Sequence, residues 1–597
     1  MERLLHAIRQ RRLDRIAAAY GVAAWLVVQA GSIVLPTFGA PEWVLKAVIF
    51  AAFLGFPVAL WIAWYLTSPQ PASSAAMSGR RIDLALLAGL SAVVLLLVAN
   101  LAWQTHASFG HLGPARSRTF TQENLAPRAS VAVLPFINMS GDSSKEYFSD
   151  GISEEILNQL ANVAALRVPA RTSSFAFKGK NEDVRKIAHI LNVRAVLEGS
   201  VREEGARVRI TAQLINAQDG YHLWSKTYDR DMSDILAVQD EIARAITLQL
   251  TRGLLGTASG LPRAPIDPDA YRKYLQGVAQ AALKTDEDDL KAVTLLKEVS
   301  SSEPNFAPAH AALGRTYIHM AQFHNEREAY LAEAHNTLDR ALRLDPRNLE
   351  ALSSRLLLSL MTWDWDKATG DAHTMKSINA HSVFTLRALG SYYDAFGFPE
   401  QETAALREAT RLDPLSFVDL NNLATAYLAR KQYAEAESAA LDALALKPDR
   451  PLALYSLCVA RAGMKHAHEV QELTHRLTQI RQPDASHGCS IELAAVFGRI
   501  ADAHALADTI AIRFPAFIFG ETDIARFYFL AHDPAKALTW LHRGFVNRNW
   551  ALFALQFSPD TPADLGKLGA WKSLMRRPEA IAWKQARDRL ANEFSAG

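Results

Sequence analysis

Cysteine is nearly missing. The 597 residues contain two, Cys458 and Cys489, too few for a disulfide framework or for a zinc module built on CxxC pairs. An excess of charge of either sign is missing as well. Lys and Arg number 64 against 62 Asp and Glu, a net charge of +2, so electrostatics makes no case for nucleic acid as the main partner. Apolar residues at 49% and charged residues at 21% exclude a wholly disordered chain. The length suggests about four folded units.

Charge is locally absent in three places. Residues 16–35, 47–66 and 84–103 are each twenty residues without Asp, Glu, Lys or Arg, long enough to cross a ~30 Å hydrocarbon core as helices. Arg3, Arg9, Arg11, Arg12 and Arg15 precede the first run, and Arg80 and Arg81 precede the third. By the positive-inside rule the expectation is a cytoplasmic tail (1–15) and a three-helix inner-membrane anchor (16–104). A linker (105–128) and all later domains then lie in the periplasm.

The pattern changes at Ser130. Residues 131–136 form a short apolar run fit for a buried strand, and a polar loop follows at 138–144. Apolar positions 152, 156, 157 and 160 mark one helix face, with Asp150 as a candidate N-cap. A second strand is expected at 166–168 and a second amphipathic helix at 184–191. Alternating runs at 195–202, 207–216 and 220–228 read as a meander, punctuated by Glu203-Glu-Gly205 and Gln218-Asp-Gly220. A last helix at 235–250 closes an α/β domain spanning 129–253. Its loop carries Asp142, Glu146 and Asp150 after a strand, a place where α/β folds bind ligands. Without GxGxxG or GxxxxGK[ST] the domain lacks a phosphate cradle, and turn and capping roles explain the same three acids.

The residues that carry a resemblance are Ser130-Val-Ala-Val-Leu-Pro-Phe136, Tyr147-Phe-Ser-Asp-Gly151, Ala170-Arg-Thr-Ser-Ser-Phe175, Leu197-Glu-Gly-Ser-Val-Arg202, Gly220-Tyr-His-Leu-Trp-Ser225, Tyr228-Asp-Arg230 and Gln239-Asp-Glu-Ile-Ala243. Together they resemble the TolB-N-terminal-like (FlgO-like) domain, which in bacteria commonly sits between a membrane anchor and helical repeats. Related chains often begin with a winged-helix DNA-binding domain of the CadC type or with a nucleotide cyclase. Fifteen residues before the first apolar run are too few for either, so a regulatory role is expected to run through another protein.

Residues 254–268 hold two Gly and three Pro and read as a flexible linker. Beyond it, Leu389-Gly390-x-x-Tyr393 recurs as Leu423-Ala424-x-x-Tyr427, 34 residues on, and Pro414 and Pro448 keep the same spacing. The period and the small residues Ala436, Ala440 and Ala443 resemble the tetratricopeptide repeat, which implies an all-α solenoid over 269–597 with a concave face for a peptide or partner helix. The pattern is degenerate at 348–380 and after Pro483. In such repeats the fifth position of each first helix faces the groove, which selects Arg387, Asn421 and Tyr455 as the protein-binding row. If they are exposed, alanine at all three is expected to leave thermal stability nearly unchanged.

His466, His468, Glu469, Glu472 and His475 cluster without the HExxH spacing and read as a solvated face. The two cysteines are open between a disulfide and two buried thiols. The expected chain is a multidomain protein: three transmembrane helices, a small α/β domain and a repeat solenoid. It is expected to catalyse nothing, need no cofactor or metal, and act as a scaffold or assembly factor for protein or peptide partners. The alternative is a sensory membrane protein whose output domain lies on a separate chain.

Overall fold

The computed structural model describes residues 129–251, 265–283, 285–323, 326–514 and 519–596, together with Tyr20, Trp25 and Gln29. The chain divides into two compact units, Met1–Pro114 and Ala115–Gly597; the second is described below. Among the described residues no helix is long and apolar enough to cross a membrane. The longest, Pro578–Ala596, carries Glu579, Lys584, Arg587, Asp588, Arg589 and Glu593, charges that a hydrocarbon core would not accept. This corrects the expected three-helix anchor, and with it the inner-membrane and periplasmic placement. A charge-free run of sufficient length is a necessary condition for a span and not a sufficient one. The runs 16–35, 47–66 and 84–103 lie outside the described residues apart from Tyr20, Trp25 and Gln29, as do 254–264 of the expected linker.

The α/β domain is built on strands β1 (Val131–Val133), β2 (Ile137–Asn138), β3 (Ala195–Glu204), β4 (Arg207–Asn216) and β5 (His222–Asp231). The order is β1-β3-β4-β5, with β2 also on β3; β1 and β2 run parallel to β3, and β3-β4-β5 is an antiparallel meander. Helices α1 (Glu146–Ala161) and α4 (Ile235–Thr251) cover one face. The other face, at Ala132, Leu134 and Val196, takes α3 (Val184–Leu191) through Ile187, Ala188 and Leu191. Continuous burial of Ala195, Val196 and Leu197 follows from cover on both sides. The strand expected at 166–168 is reduced to a single parallel bridge, Ser130 to Arg167, followed by a short helix α2 (Arg171–Phe175). Helix α1 starts earlier than its apolar spacing suggested, because Phe148, 1% exposed, is drawn into the core and makes Asp150 an interior helical residue.

Gly199 shows why the Leu-Glu-Gly-Ser segment of β3 needs its glycine. A Cβ there would lie 2.2 Å from the Thr211 carbonyl oxygen of β4 and 2.9 Å from the Phe136 ring. Backbone cannot yield as a side-chain tip can. Gly199→Ala is therefore expected to cost about 3 kcal/mol, the upper end of overpacking penalties, read as a lower thermal midpoint. An unchanged midpoint would show that the β3–β4 pairing is looser than described.

Eight helix pairs follow among the described residues: α5 (Pro268–Ala281) with α6 (Asp286–Ser302), α7 (Ala307–Phe323) with α8 (Arg327–Leu344), α9 (Leu349–Thr362) with α10 (Trp365–Asn379), α11 (Val383–Phe396) with α12 (Pro399–Leu412), α13 (Phe417–Ala429) with α14 (Tyr433–Leu446), α15 (Pro451–Gly463) with α16 (Ala467–Gln479), α17 (Pro483–Val496) with α18 (Ile500–Ile512), and α19 (Glu521–Leu530) with α20 (Pro534–Val546). The chain is mostly helical and solenoid-like, as the 34-residue period implies. Left-handed backbone recurs on the same ruler at Trp363, Gly397, Lys431 and Lys465, then at Gly498 and His532, so the degenerate stretches keep the turn geometry after losing the sequence pattern. At Gly390 a Cβ would meet Leu406 of α12 at 2.7 Å, which is why the first helix needs a small residue there.

The end of the chain turns back. Helix α22 (Pro578–Ala596) closes against α10 and α11, and α21 (Gly569–Met575) packs between α20 and α22. Trp583 Nε1 donates to the Ala395 carbonyl at 3.0 Å, and Arg587 Nε donates to that of Phe396 at 3.0 Å. Phe396, Phe553 and Trp583 stack in the closure.

Candidate functional site

The array already holds a polypeptide, the chain's own α/β domain, through α5 at one end and through the ends of α10 and α12 with the turn after α12 at the other. At one end the attachment is apolar. Phe148 of α1 packs edge-on to Tyr271 of α5, with ring centroids 6.4 Å apart, and Tyr274 packs on Phe306 at 5.0 Å. Leu275 fills the space over Gly151. Polar groups finish this seam: the Tyr274 hydroxyl donates to Glu155 Oε1 at 2.5 Å, and Gln239 Nε2 donates to the Tyr271 hydroxyl at 2.7 Å. Burial, with Glu155 beside it, pushes the Tyr274 phenol well above its ordinary value. Burial likewise raises Glu154 despite Arg171, which pairs with it at 2.7 Å.

At the other end, along α10 to α13, the attachment is polar. Asn379 closes α10 and donates from Nδ2 to the Ala161 carbonyl at 2.8 Å and to that of Val163 at 3.2 Å. These belong to the last turn of α1 and the residues after it, where carbonyls lack intrahelical partners. Arg167 donates to Glu408 at 2.9 Å. Helix α2 has Ala170 at its N-cap, with no side chain to cap it. Asp413 supplies that cap from the array, accepting the Ser173 amide at 2.9 Å, and the Leu415 amide donates to Ser173 Oγ at 2.8 Å.

The residues selected from sequence stand behind and beside this surface. Arg387, 32% exposed in its side chain, donates to Asp419 at 2.7 Å and to Asp413, whose carboxylates are 1% and 0% exposed. Burial raises Asp413 even so, with Arg387 opposing. Asn421 is buried and accepts a long contact, 3.5 Å, from the Ser456 hydroxyl. Tyr455 donates to Glu492 at 3.0 Å and accepts from Arg526 at 2.9 Å; Arg526 also binds Glu492 and reaches Asp560 of the returning segment at 2.8 Å. The row therefore supports the array's interior. Asn379, Glu408, Asp413 and Arg526 were not singled out by sequence. Asp413 sits in a Leu-Asp-Pro turn like that of Asp345, and nothing local separates the two.

The acids of the first loop do not converge. Asp142 caps its own turn, accepting the Ser144 amide at 2.9 Å and hydroxyl at 2.7 Å, which hold its carboxyl below the usual range. Glu146 and Asp150 share Lys178, at 2.9 and 2.7 Å. Beside this loop lies an open cleft of about 510 Å³ between Ser144, Tyr147, Gln276 and Lys291. Cys458 and Cys489 are joined in a disulfide, Cα atoms 5.8 Å apart. His466 pairs with Glu469 at 3.0 Å and His468 with Glu472 at 3.6 Å; among the described residues no group of three or more His, Cys, Asp or Glu is placed to hold a metal ion.

No protein-family model matches the chain. It is 44% identical over 207 residues to the protein named "Putative adenylate cyclase 3" of Rhizobium meliloti (strain 1021), a match covering 34% of each. The chain thus spans about a third of the length of the curated relative it matches. That name belongs to an enzyme, and it corrects the expectation that the chain catalyses nothing. Solved structures with similar helical stacks include PilF of Pseudomonas aeruginosa (13% identity, 36% of this chain and 93% of that one, TM-score 0.29). A tetratricopeptide repeat protein of Parabacteroides merdae gives 14%, 48%, 98% and 0.27, and human IFIT1 with PPP-AAAA gives 14%, 59%, 79% and 0.32. At such scores the repeat assignment rests on the helix pairs and their period.

Proposed function

We propose that the chain is a protein-interaction scaffold whose helical array recognises polypeptide. The observation that carries this reading is the pair Asn379 and Asp413, which bond backbone groups of a polypeptide more than two hundred residues away in sequence. The division near 254–268 into an α/β domain and a repeat array belongs to the same reading, as does the row Arg387, Asn421 and Tyr455, here as the support of the recognition surface. A photo-crosslinking residue at Val418 on α13 or Leu452 on α15, 53% and 44% exposed, is expected to trap discrete proteins in cells. The combination Arg387→Lys, Asn421→Ala and Tyr455→Phe is expected to trap fewer, and unchanged trapping would remove the row from the account.

A second reading places the chain in cyclic-nucleotide signalling. It is favoured by the 44% identity to the Rhizobium protein. Its test is direct: the purified chain is incubated with ATP and magnesium and the product assayed for cyclic AMP. Formation of cyclic AMP above a heat-denatured control would make catalysis part of the function.

A further inference from the structure

The two ends of the docked α/β domain are held by different chemistry, and the difference has a direction. The α5 end is welded by buried aromatic and aliphatic side chains that belong to one core with the repeats. The α10–α13 end is held mainly by hydrogen bonds and one partly exposed ion pair, Arg167 and Glu408, at 26% and 21% side-chain exposure, with Leu415 the one apolar side chain from the turn after α12 that packs on the domain's second core. Such contacts exchange readily for water, whereas buried aromatic surface does not. The fit at the polar end is also incomplete: Ser174 Oγ, inside the docked segment, is buried with no hydrogen-bond partner. The receiving side is ready without its guest. Asp413 keeps Arg387 on its second oxygen, so departure of the Ser173 amide leaves no unpaired buried charge.

Resting on the scaffold reading, we infer that the α10–α13 face is an exchangeable peptide site, occupied in this chain by its own residues 161–175 and vacated when the α/β domain swings about the α5 seam. The partner it fits is a polypeptide that presents, as residues 161–175 do, carbonyls for Asn379 at the end of a helix and an uncapped turn with a Ser for Asp413 and Leu415. A basic residue ahead of that turn meets Glu408. Glu408 and Asp413 favour a neutral or basic turn over an acidic one, although Arg411 pairs with Glu408 at 3.1 Å and Arg387 with Asp413.

Hydrogen exchange on the full chain, followed by mass spectrometry, tests the opening. The Ser173 and Leu415 amides, bonded across the seam, are expected to exchange together at least tenfold faster than the β3–β4 ladder, and Arg167→Glu, which removes the pair with Glu408, is expected to speed them by a further tenfold or more with the ladder unchanged. A fluorescent synthetic peptide of residues 161–175 is then expected to bind Arg167→Glu at least tenfold more tightly than the wild type, and a scrambled peptide to bind neither. Should Arg167→Glu perturb the fold by circular dichroism, Arg167→Ala replaces it with the same ordering expected. Exchange of the Ser173 and Leu415 amides only in step with the ladder overturns the inference while leaving the scaffold reading to other surfaces. Faster exchange without peptide binding overturns the peptide site and the scaffold reading's chosen face together.

Discussion

Arg387→Ala is expected to cost about 3–5 kcal/mol, the usual cost of removing one partner of a buried ion pair. Its guanidinium faces two carboxylates, Asp413 and Asp419, that have essentially no solvent of their own. Without it, both would be buried near each other with no counter-charge, and Asp413, already raised by burial, would rise further. The sign with pH follows. A carboxyl whose folded value is raised binds its proton more tightly in the folded state, so its penalty is full above the folded value and relieved on acidification. The loss in urea midpoint is therefore expected to be largest at pH 7.5 and smaller at pH 5. Arg387→Lys, which keeps charge but not the two-pronged fork, is expected to fall between. This replaces the expectation of near-neutral substitution along the row, which assumed an exposed side chain. A midpoint unmoved by Arg387→Ala would mean that Asp413 and Asp419 are solvated and that the seam geometry is wrong.

The opposite sign is expected at Asp394. Burial, with Asp523 nearby, pushes its carboxyl up to about 6, and burial beside Asp394 pushes Glu402 of α12 well above its usual value. Asp523 is raised by burial too. These groups destabilise the folded chain progressively as pH rises from about 4 through 6. Asp394→Asn keeps the shape and removes the charge. It is expected to stabilise the chain by about 1–3 kcal/mol at pH 7.5, since each tenfold gain in proton affinity on folding corresponds to ~1.4 kcal/mol, and to change little at pH 4. Thermal midpoints at the two pH values read the effect; a stabilisation of equal size at both would assign it to packing.

What the sequence made legible was periodic. Helix 184–191 and strand 207–216 occur with the bounds their spacing implies, because an apolar stripe or alternation is a local property of a half-buried element. The 34-residue ruler found the array for the same reason. Depth in the array was not legible: the 34-residue spacing puts Arg387, Asn421 and Tyr455 at equivalent positions, but their burial depends on Asp413, Ser456 and Arg526, contributed from elsewhere in the array. The docking of the α/β domain had no local signal at all. Its contacts join Ala161 to Asn379, Arg167 to Glu408 and Ser173 to Asp413, and each partner has an adequate local explanation as a helix end, a surface pair or a turn. The charge-free runs near the start led the other way, since length without charge fits a span and does not establish one.

The α/β domain is seated on α5 and on the ends of α10 and α12. Spin labels on cysteines introduced at the exposed positions Gln218, between β4 and β5, and Glu435, on α14, would react alone, because Cys458 and Cys489 are paired and buried. Their separation in the full chain, measured by double electron–electron resonance, is expected to give one narrow distribution in the wild-type background and a second, longer population with Arg167→Glu. A single broad distribution in the wild-type background, as two modules on a flexible linker would give, would contradict the account.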